Sequence, residues 1–524
     1  MGVQDDEPRT AAAERLHSAY EKGALRILVG AGTSLDAGFR DWGTMNEELL
    51  KAQVETDIGT FAQMLGDKIP SMARNVYEAI GRDAAAALVW DRAGKAFFRG
   101  FAEILYGGRE ISDLPVLPIH YQIAAMSKAG VFTTNYDPLL ELGLAKLLDD
   151  NDPQLGLHND GWQRYRKVFR GTNITKSVNE RVCVYHVHGW VDPGGRYGGP
   201  FVLTEGQYFK LFEDPRSVVN RSLRTILTAR GAVLMVGMSL SDTNLRRILY
   251  QQSSERRTPI FAVLRRGEEL VDAYQMLHWL RYGVEVLWVQ DYNDIPGLLR
   301  EVRYGPATKG APLPWVAYAL EWLEAKVSPK NIFGNAWQRA AHAALRELLT
   351  QIRLLFAVAP EEDLKISLLV PLSKTDLGII ADTREPRSSE SAWERAKCFR
   401  LAIDPAKPQG ISGVSYVSGK EVEVLDDPQG ADRNFSSEMR RIWYSRGYRD
   451  WRSVLAVPVM DSQHWVPVAV VTMTSNKGEP FWTRFGPAKG RYQPELYAAM
   501  RRTAKILFSF AQDRPQSTQL RPRR

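Results

Sequence analysis

The stretch Leu25-Arg26-Ile27-Leu28-Val29-Gly30-Ala31-Gly32-Thr33-Ser34-Leu35-Asp36-Ala37-Gly38 decides the fold of the first half of this chain. A compact apolar run with two β-branched residues, Ile27 and Val29, passes straight into a glycine-rich turn. A buried strand feeding such a turn opens a nucleotide-binding α/β unit. Glycine lets the backbone turn tightly and come close to a phosphate, whose oxygens the amide N–H groups can hold. Taken alone, Gly30, Ala31, Gly32, Thr33 and Ser34 fit a plain strand–helix turn equally well.

Upstream of this turn, residues 10–24 have helical spacing and close at Gly23; downstream, 45–130 is rich in Ala, Leu, Met and Glu and reads as a helical insertion. Short apolar strands then return: Val131-Phe132-Thr133, Val182-Cys183-Val184-Tyr185, Val233 to Val236, Ile260 to Leu264 and Val284 to Leu287. Helix-like segments separate most of them, at 215–229, 243–252 and 268–282. That alternation predicts a Rossmann-like parallel sheet covered on both faces. Gly305, Pro306, Gly310, Pro312 and Pro314 mark a boundary, giving a first domain of 1–310. A linker and connecting helix follow over 311–360, where Trp337, Ala341, Ala344, Leu345, Leu348, Ile352 and Leu355 form one apolar stripe leading from the first domain into the second, expected to be an open interaction surface that pairs with a second copy. Residues 361–510 read as an α+β domain with an antiparallel sheet. Its strands fall at Lys365 to Val370, Val414 to Val417, Val454 to Val459 and Val466 to Thr472, and a last helix runs from Glu495 to Phe510. The tail, 511–524, has a disordered composition.

Composition removes several classes of function. The 524 residues are 44% apolar and 25% charged, with no apolar run near membrane-spanning length, and the start lacks a secretory signal pattern. A soluble cytoplasmic protein is expected, with no membrane partner. Two cysteines cannot build a disulfide framework or a four-thiolate zinc site. The net charge of +7 is spread among interspersed acids and bases, so nucleic acid is a minor alternative partner, resting mainly on the basic tail.

Three further segments carry chemistry, each at the end of an expected strand, where open α/β sheets bind ligands. Thr133-Thr134-Asn135-Tyr136-Asp137 gathers hydroxyls, an amide and a carboxylate. Asp137 before Pro138 suits a helix N-cap, but a cap does not require Asn135. In Tyr185-His186-Val187-His188-Gly189-Trp190, Gly189 leaves room for a ligand against the His188 imidazole. His186 and His188 would share one strand face; with no third ligand nearby, no metal is expected, and His186 suits a satisfied core histidine better than His188 does. The last segment, Val236-Gly237-Met238-Ser239-Leu240-Ser241-Asp242, lacks the second glycine of a nucleophile elbow, which removes serine hydrolases.

Taken in order and spacing, these four segments resemble the sirtuin-like NAD-binding domain over roughly residues 20–295. The resemblance implies NAD as substrate, cradled by Gly30, Ala31, Gly32, Thr33 and Ser34, with Asn135 and His188 as the catalytic pair at the nicotinamide ribose. Gly237 and Ser239 fall on the adenosine side, and Asp41, Thr134 and Asp137 complete the expected contacts. Two departures matter. Protein-deacylating sirtuins carry a zinc ribbon of four cysteines, and they follow the first motif with Gly-Ile-Pro-Asp-Phe-Arg where this chain has Gly38-Phe39-Arg40-Asp41-Trp42-Gly43. With the helical insertion, these departures look like the sirtuin-like NAD hydrolases of bacterial anti-phage defence. The run from Gln409 to Lys420 and the pair Tyr448 to Val459 and Val466 to Ser475 resemble a GAF-type fold, which senses a ligand or serves assembly.

The expectation is therefore an NAD glycohydrolase effector that depletes cellular NAD in abortive infection. A homo-oligomer, it would be controlled through its C-terminal domain by an activating signal: a small ligand, a phage component or a partner protein. The alternatives are a non-catalytic NAD or ADP-ribose sensor, and an NAD-dependent deacylase or ADP-ribosyl transferase.

Overall fold

The computed structural model describes residues 6–40, 42–58, 75, 89–90, 97–126, 131–144, 184–199, 201–228, 230–239, 242–252, 258–306, 311–326, 332–384, 391–427, 434–445, 451–461, 466–483 and 489–510. Asp41, Cys183, His464, most of 59–96 and the tail 511–524 lie outside them. Two compact units divide the chain between Gly305 and Pro306, slightly ahead of the expected boundary at 310. Among the described residues no helix is long and apolar enough to cross a membrane.

The first unit has strands β1 (Leu25–Val29), β2 (Val131–Thr133), β3 (Val184–His186), β4 (Trp190–Val191), β5 (Tyr197–Gly198), β6 (Ala232–Val236), β7 (Ile260–Arg265) and β8 (Val284–Val289). Its helices are α1 (Asp6–Glu21), α2 (Trp42–Ile58), α3 (Phe97–Tyr106), α4 (Pro118–Ala125), α5 (Glu205–Glu213), α6 (Val218–Thr228), α7 (Thr243–Gln252), α8 (Glu269–Leu280) and α9 (Ile295–Tyr304). Six strands form one sheet in the order β3-β2-β1-β6-β7-β8, and every neighbouring pair is parallel. The chain winds outward from β1 to β3, then crosses back to place β6 on the other side of β1. That reversal is a topological switch point, and the crevice beyond the strand ends there is where such sheets bind ligands.

The two-residue period of the strands sorts their side chains onto two faces. Ile27, Val29, Val131, Leu234, Val236 and Val263 pack with Leu16 of α1, Ile123 of α4 and Leu298 of α9. Leu28, Phe132, Val233, Met235 and Ala262 face the opposite way, onto Leu223 and Ile226 of α6 and Leu245 and Ile248 of α7. A third cluster joins Met45 and Leu49 of α2 and Phe97, Phe101 and Leu105 of α3 to Phe39, Tyr136 and Leu139. It is the described core of the helical insertion. Helix α4, expected within that insertion, belongs to the sheet layer through Ile119 and Ile123.

The second unit has strands β9 (Leu364–Pro371), β10 (Asp376–Asp382), β11 (Arg400–Ala402), β12 (Val422–Val424), β13 (Ser453–Met460) and β14 (Pro467–Ser475) in the order β11-β10-β9-β14-β13-β12, antiparallel throughout. The expected hairpin of 454–459 with 466–475 is the β13–β14 pair. Helices α10 (Val316–Lys326), α11 (Asn335–Leu355), α12 (Ala392–Cys398), α13 (Gly410–Ser418), α14 (Ser437–Ser445) and α15 (Lys489–Phe510) complete this unit.

Two expectations are corrected. Residues Val414 to Val417 are not a strand: they lie in α13, which packs on β13 and β14 with Ile411, Ser412, Ser415 and Tyr416 buried. Left-handed Gly419 ends that helix by donating its N–H to Ser415 O, so burial and a glycine cap override the β-branched valines. The second correction concerns the apolar stripe of 337–355, which does not connect the domains as an open surface. Trp337, Ala341, Leu345, Leu348 and Ile352 are buried inside the second unit, where α11 packs on β9, β10 and α15 and Trp337 Nε1–H donates to Leu507 O (2.9 Å). Only the end of the stripe, Leu355, is open.

Candidate active site

A cleft of about 450 Å³ opens at the carboxyl ends of β1, β2 and β6. Gly30, Ala31, Gly32 and Ser34 line it from the turn after β1, Thr134, Asn135 and Asp137 from the turn after β2, and Gly237 and Ser239 from the turn after β6. His188 enters beyond β3. Ten of the twelve residues singled out in the sequence thus meet in one place. Of the other two, Thr33 is buried with its hydroxyl bonded to Gly30 O (3.0 Å) and does not line the cleft, and Asp41 lies outside the described residues.

Glycine is needed at the first and last of these turns because the turns touch. A Cβ on Gly30 would lie 2.5 Å from Gly237 O, and one on Gly32 would lie 3.0 Å from Gly237 Cα. Gly237 has φ +65, and a Cβ there would meet the Thr33 nitrogen at 2.6 Å. Gly30 N–H donates to Val236 O and Gly32 N–H to Gly237 O (2.9 and 3.0 Å). Two of the amides in the turn that the sequence offered to the phosphates, those of Gly30 and Gly32, therefore bind the neighbouring turn in this structure. The glycines serve turn-to-turn packing, which places their backbone on the cleft wall.

A hydrogen-bonded chain holds the centre. Asn135 Nδ2 donates to Ser34 Oγ (3.1 Å), and Ser34 Oγ donates to Asp137 Oδ2 (2.9 Å). Asp137 Oδ1 accepts from Leu139 N–H (3.1 Å), which is the expected helix cap. Burial raises the Asp137 carboxyl above its ordinary value, although the Leu139 and Ser34 hydrogen bonds pull it down. Behind this chain, His186 Nδ1 bonds Asn135 O (2.7 Å) and His186 Nε2 pairs with Glu141. Burial alone would lower the His186 pKa, but Glu141 and the Asn135 carbonyl outweigh it and the net shift is upward. Each ring nitrogen thus faces an oxygen, the main-chain carbonyl on one side and the carboxyl on the other. His186 is the satisfied core histidine that its place in the sequence suggested.

His188 is different. It is 4% exposed, its ring meets Tyr208 edge-on, and its Nε2 stands 3.3 Å from Asp242 Oδ2 without hydrogen-bond geometry. Burial lowers its pKa below the ordinary histidine value, with Asp242 opposing, so the ring is neutral near pH 7. Among the described residues, His188 Nε2 and Asn135 Oδ1 are both buried without a hydrogen-bond partner. Two such atoms on one cleft are each a standing desolvation penalty until a ligand or water meets them.

Several lining residues were missed in the sequence. Asp242 caps α7 through Leu245 N–H (2.9 Å) and turns its other oxygen to His188. Arg40 is fixed by Glu48 and by Ile104 O, while Val263, Leu264 and Tyr292 come from the ends of β7 and β8. The strand-end rule that found the other turns would have pointed to these last three as well.

Comparison with known proteins agrees with this geometry. The family described as SIR2-like domain matches residues 129–287. The chain is 24% identical over 317 residues to the NAD(+) hydrolase ThsA of Enterococcus faecium, covering 55% of this chain and 57% of that protein. It is also 24% identical to ThsA of Acinetobacter baumannii (strain 532279), covering 55% of each, and to defense-associated sirtuin 2 of Bacillus subtilis, covering 45% of this chain and 20% of that protein. The chain thus spans about half the length of the two ThsA relatives. A solved GAF domain from an Acinetobacter phosphoenolpyruvate-protein phosphotransferase aligns with 37% of this chain and 93% of its own at 14% identity, with a TM-score of 0.21, at which nothing is inferred from it. Residues 129–287, within the first unit, are thus similar to the SIR2-like family.

Proposed function

We propose that the cleft of the first unit hydrolyses NAD to nicotinamide and ADP-ribose. The observation that carries this reading is the pair of buried, unpartnered atoms, Asn135 Oδ1 and His188 Nε2, on one cleft at the switch point. The names of the relatives supply the substrate. Breaking the nicotinamide–ribose bond sends its electron pair to the pyridinium nitrogen, so the leaving group departs neutral and needs no acid. Positive charge builds on the ribose, as in glycoside hydrolysis. Asn135 Oδ1 orients a water toward the anomeric carbon, and neutral His188 takes the proton that water releases. Asp242 Oδ2, beside Nε2, stabilises the imidazolium so formed. Gly30, Ala31, Gly32, Ser34 and Thr134 form the wall along which the phosphates and ribose would lie, with Gly237 and Ser239 toward the adenosine.

We extend the proposal to the wider role expected from the sequence, an effector that depletes cellular NAD in anti-phage defence as a cytoplasmic homo-oligomer; the names NAD(+) hydrolase and defense-associated sirtuin support the hydrolysis and the defence alone. The second unit, read as GAF-like over 361–510, would receive the activating signal. Nicotinamide release by the purified chain, with and without infected-cell extract, tests the proposal together with Asn135→Ala and His188→Ala. Each substitution is expected to lower turnover by about 10²–10⁴-fold. Wild-type turnover in either would remove that residue from the mechanism.

A further inference from the structure

The glycine-rich turn is short of donors for the group it faces. Of the main-chain amides from Gly30 to Ser34, those of Gly30 and Gly32 donate to Val236 O and Gly237 O, and those of Thr33 and Ser34 donate to Gly30 O and Ala31 O. Within this run only the Ala31 N–H is left for a ligand. A pyrophosphate carries two negative charges, and glycine-rich phosphate sites ordinarily meet them with several such amides at once. The charge must therefore be met by a side chain. Among the described residues lining the cleft, Arg40 is the only lysine or arginine. The acids of the lining stand elsewhere: Asp137 is joined to Asn135 through Ser34, and Asp242 lies beside His188.

The local fold brings Arg40 to the turn and holds it there. After Ser34 the chain makes a tight loop, left-handed at Gly38, and the Phe39 N–H returns to Ser34 O (3.2 Å), so Arg40 starts beside the turn it follows. Arg109 fixes that loop from α3, donating to Ala37 O and Gly38 O (2.9 and 3.0 Å). The Arg40 guanidinium is braced from behind: Nε donates to Glu48 Oε1 of α2 (2.6 Å) and Nη1 to Ile104 O of α3 (2.8 Å). Nη2 makes no hydrogen bond among the described residues, and the side chain is 36% exposed. A planar fork held in this way gives up little rotamer freedom when an anion arrives.

We infer that Arg40, braced by the helical insertion, is the anion clamp of the cleft, and that its free Nη2 takes a pyrophosphate oxygen of the dinucleotide. The inference rests on the NAD reading for the ligand and assigns recognition of the ligand's charge to one side chain. Its consequence is selectivity for phosphorylated ligands, NAD and ADP-ribose, over adenosine.

Calorimetry of the full chain with ADP-ribose and with adenosine tests this without requiring turnover. Arg40→Gln should weaken ADP-ribose binding by about 10–100-fold, the worth of a hydrogen bond to a charged group, and leave adenosine binding little changed. Glu48→Gln breaks the same brace but keeps the cation, so it should cost far less ADP-ribose affinity than Arg40→Gln. Added salt should weaken ADP-ribose binding in the wild type and do so less in Arg40→Gln. Equal ADP-ribose affinity in wild type and Arg40→Gln overturns the inference. So does an equal loss in Arg40→Gln and Glu48→Gln, or a parallel loss of adenosine, because Arg40 is then a strut between α2 and α3. A wild type that does not bind ADP-ribose overturns it as well, whatever nicotinamide release shows. ADP-ribose bound through Arg40 with NAD left uncut would remove the hydrolase and keep the clamp.

Discussion

Truncating Glu141 to alanine would expose how Asn135, the proposed catalytic asparagine, is held. Glu141 and His186 are 0% and 1% exposed at their side chains, and the other nitrogen of His186 bonds the main-chain oxygen of Asn135 at 2.7 Å. Removing one partner of a buried pair costs about 3–5 kcal/mol. Glu141 Oε2 has no hydrogen-bond partner among the described residues, so the pair is incompletely satisfied and the lower end, about 3 kcal/mol, is expected. With unfolding entropy near 2.1 cal/mol/K per residue over a unit ending at Gly305, that lowers the melting temperature of the first unit by roughly 5 °C. The pH dependence has a definite sign. The folded pKa of His186 lies above the unfolded value, so the pair's contribution is complete below the ordinary histidine range and is lost as pH rises through the folded value. Calorimetry of wild type and Glu141→Ala should show the deficit in full at pH 6 and smaller in alkali. Melting within 1 °C of wild type at pH 6 would refute the reasoning.

Further outcomes follow from the same contacts. Gly237→Ala places a methyl 2.6 Å from the Thr33 nitrogen at φ +65; the left-handed backbone alone costs about 1–2 kcal/mol, and NAD affinity measured by calorimetry should fall at least tenfold. Burial holds the His120 pKa down at about 4, below the unfolded 6.5, so the unfolded chain binds the proton first; stability is full above pH 6.5 and falls by about 3 kcal/mol toward pH 4, and His120→Gln should flatten that part of the denaturant-unfolding profile. The acid limb of kcat/KM should lie below the ordinary histidine range because His188 is depressed, and Asp242→Asn should move it lower still; a limb at or above pH 6.5 would remove His188 as the base. Acetylated peptide added with NAD should yield no acetyl-ADP-ribose, and peptide-dependent turnover would favour a deacylase.

What the sequence made legible were the strand-terminal turns. Each follows a short apolar run, and in the turn after β2 Asn135 stands beside the capping Asp137 without being needed for the cap. Period and position alone recover the parallel sheet and the residues at its carboxyl edge. Harder to see was anything that depends on what packs against what. Val414 to Val417 read as a strand because two β-branched residues look alike in either state, and only the sheet beneath α13 and the cap at Gly419 decide the matter. The stripe of α11 read as an open surface because a sequence does not say which partner covers it. Asp242 escaped notice for a related reason: as a helix cap it needs no further explanation until His188 is seen beside it.

The most direct test of the central claim is product analysis by proton NMR of full-length chain incubated with NAD, with and without infected-cell extract, beside Asn135→Ala. The account expects free nicotinamide and ADP-ribose in equal amounts, with turnover nearly abolished in the variant. NAD bound by the wild type but left intact in both arms would contradict it and make the cleft a sensor.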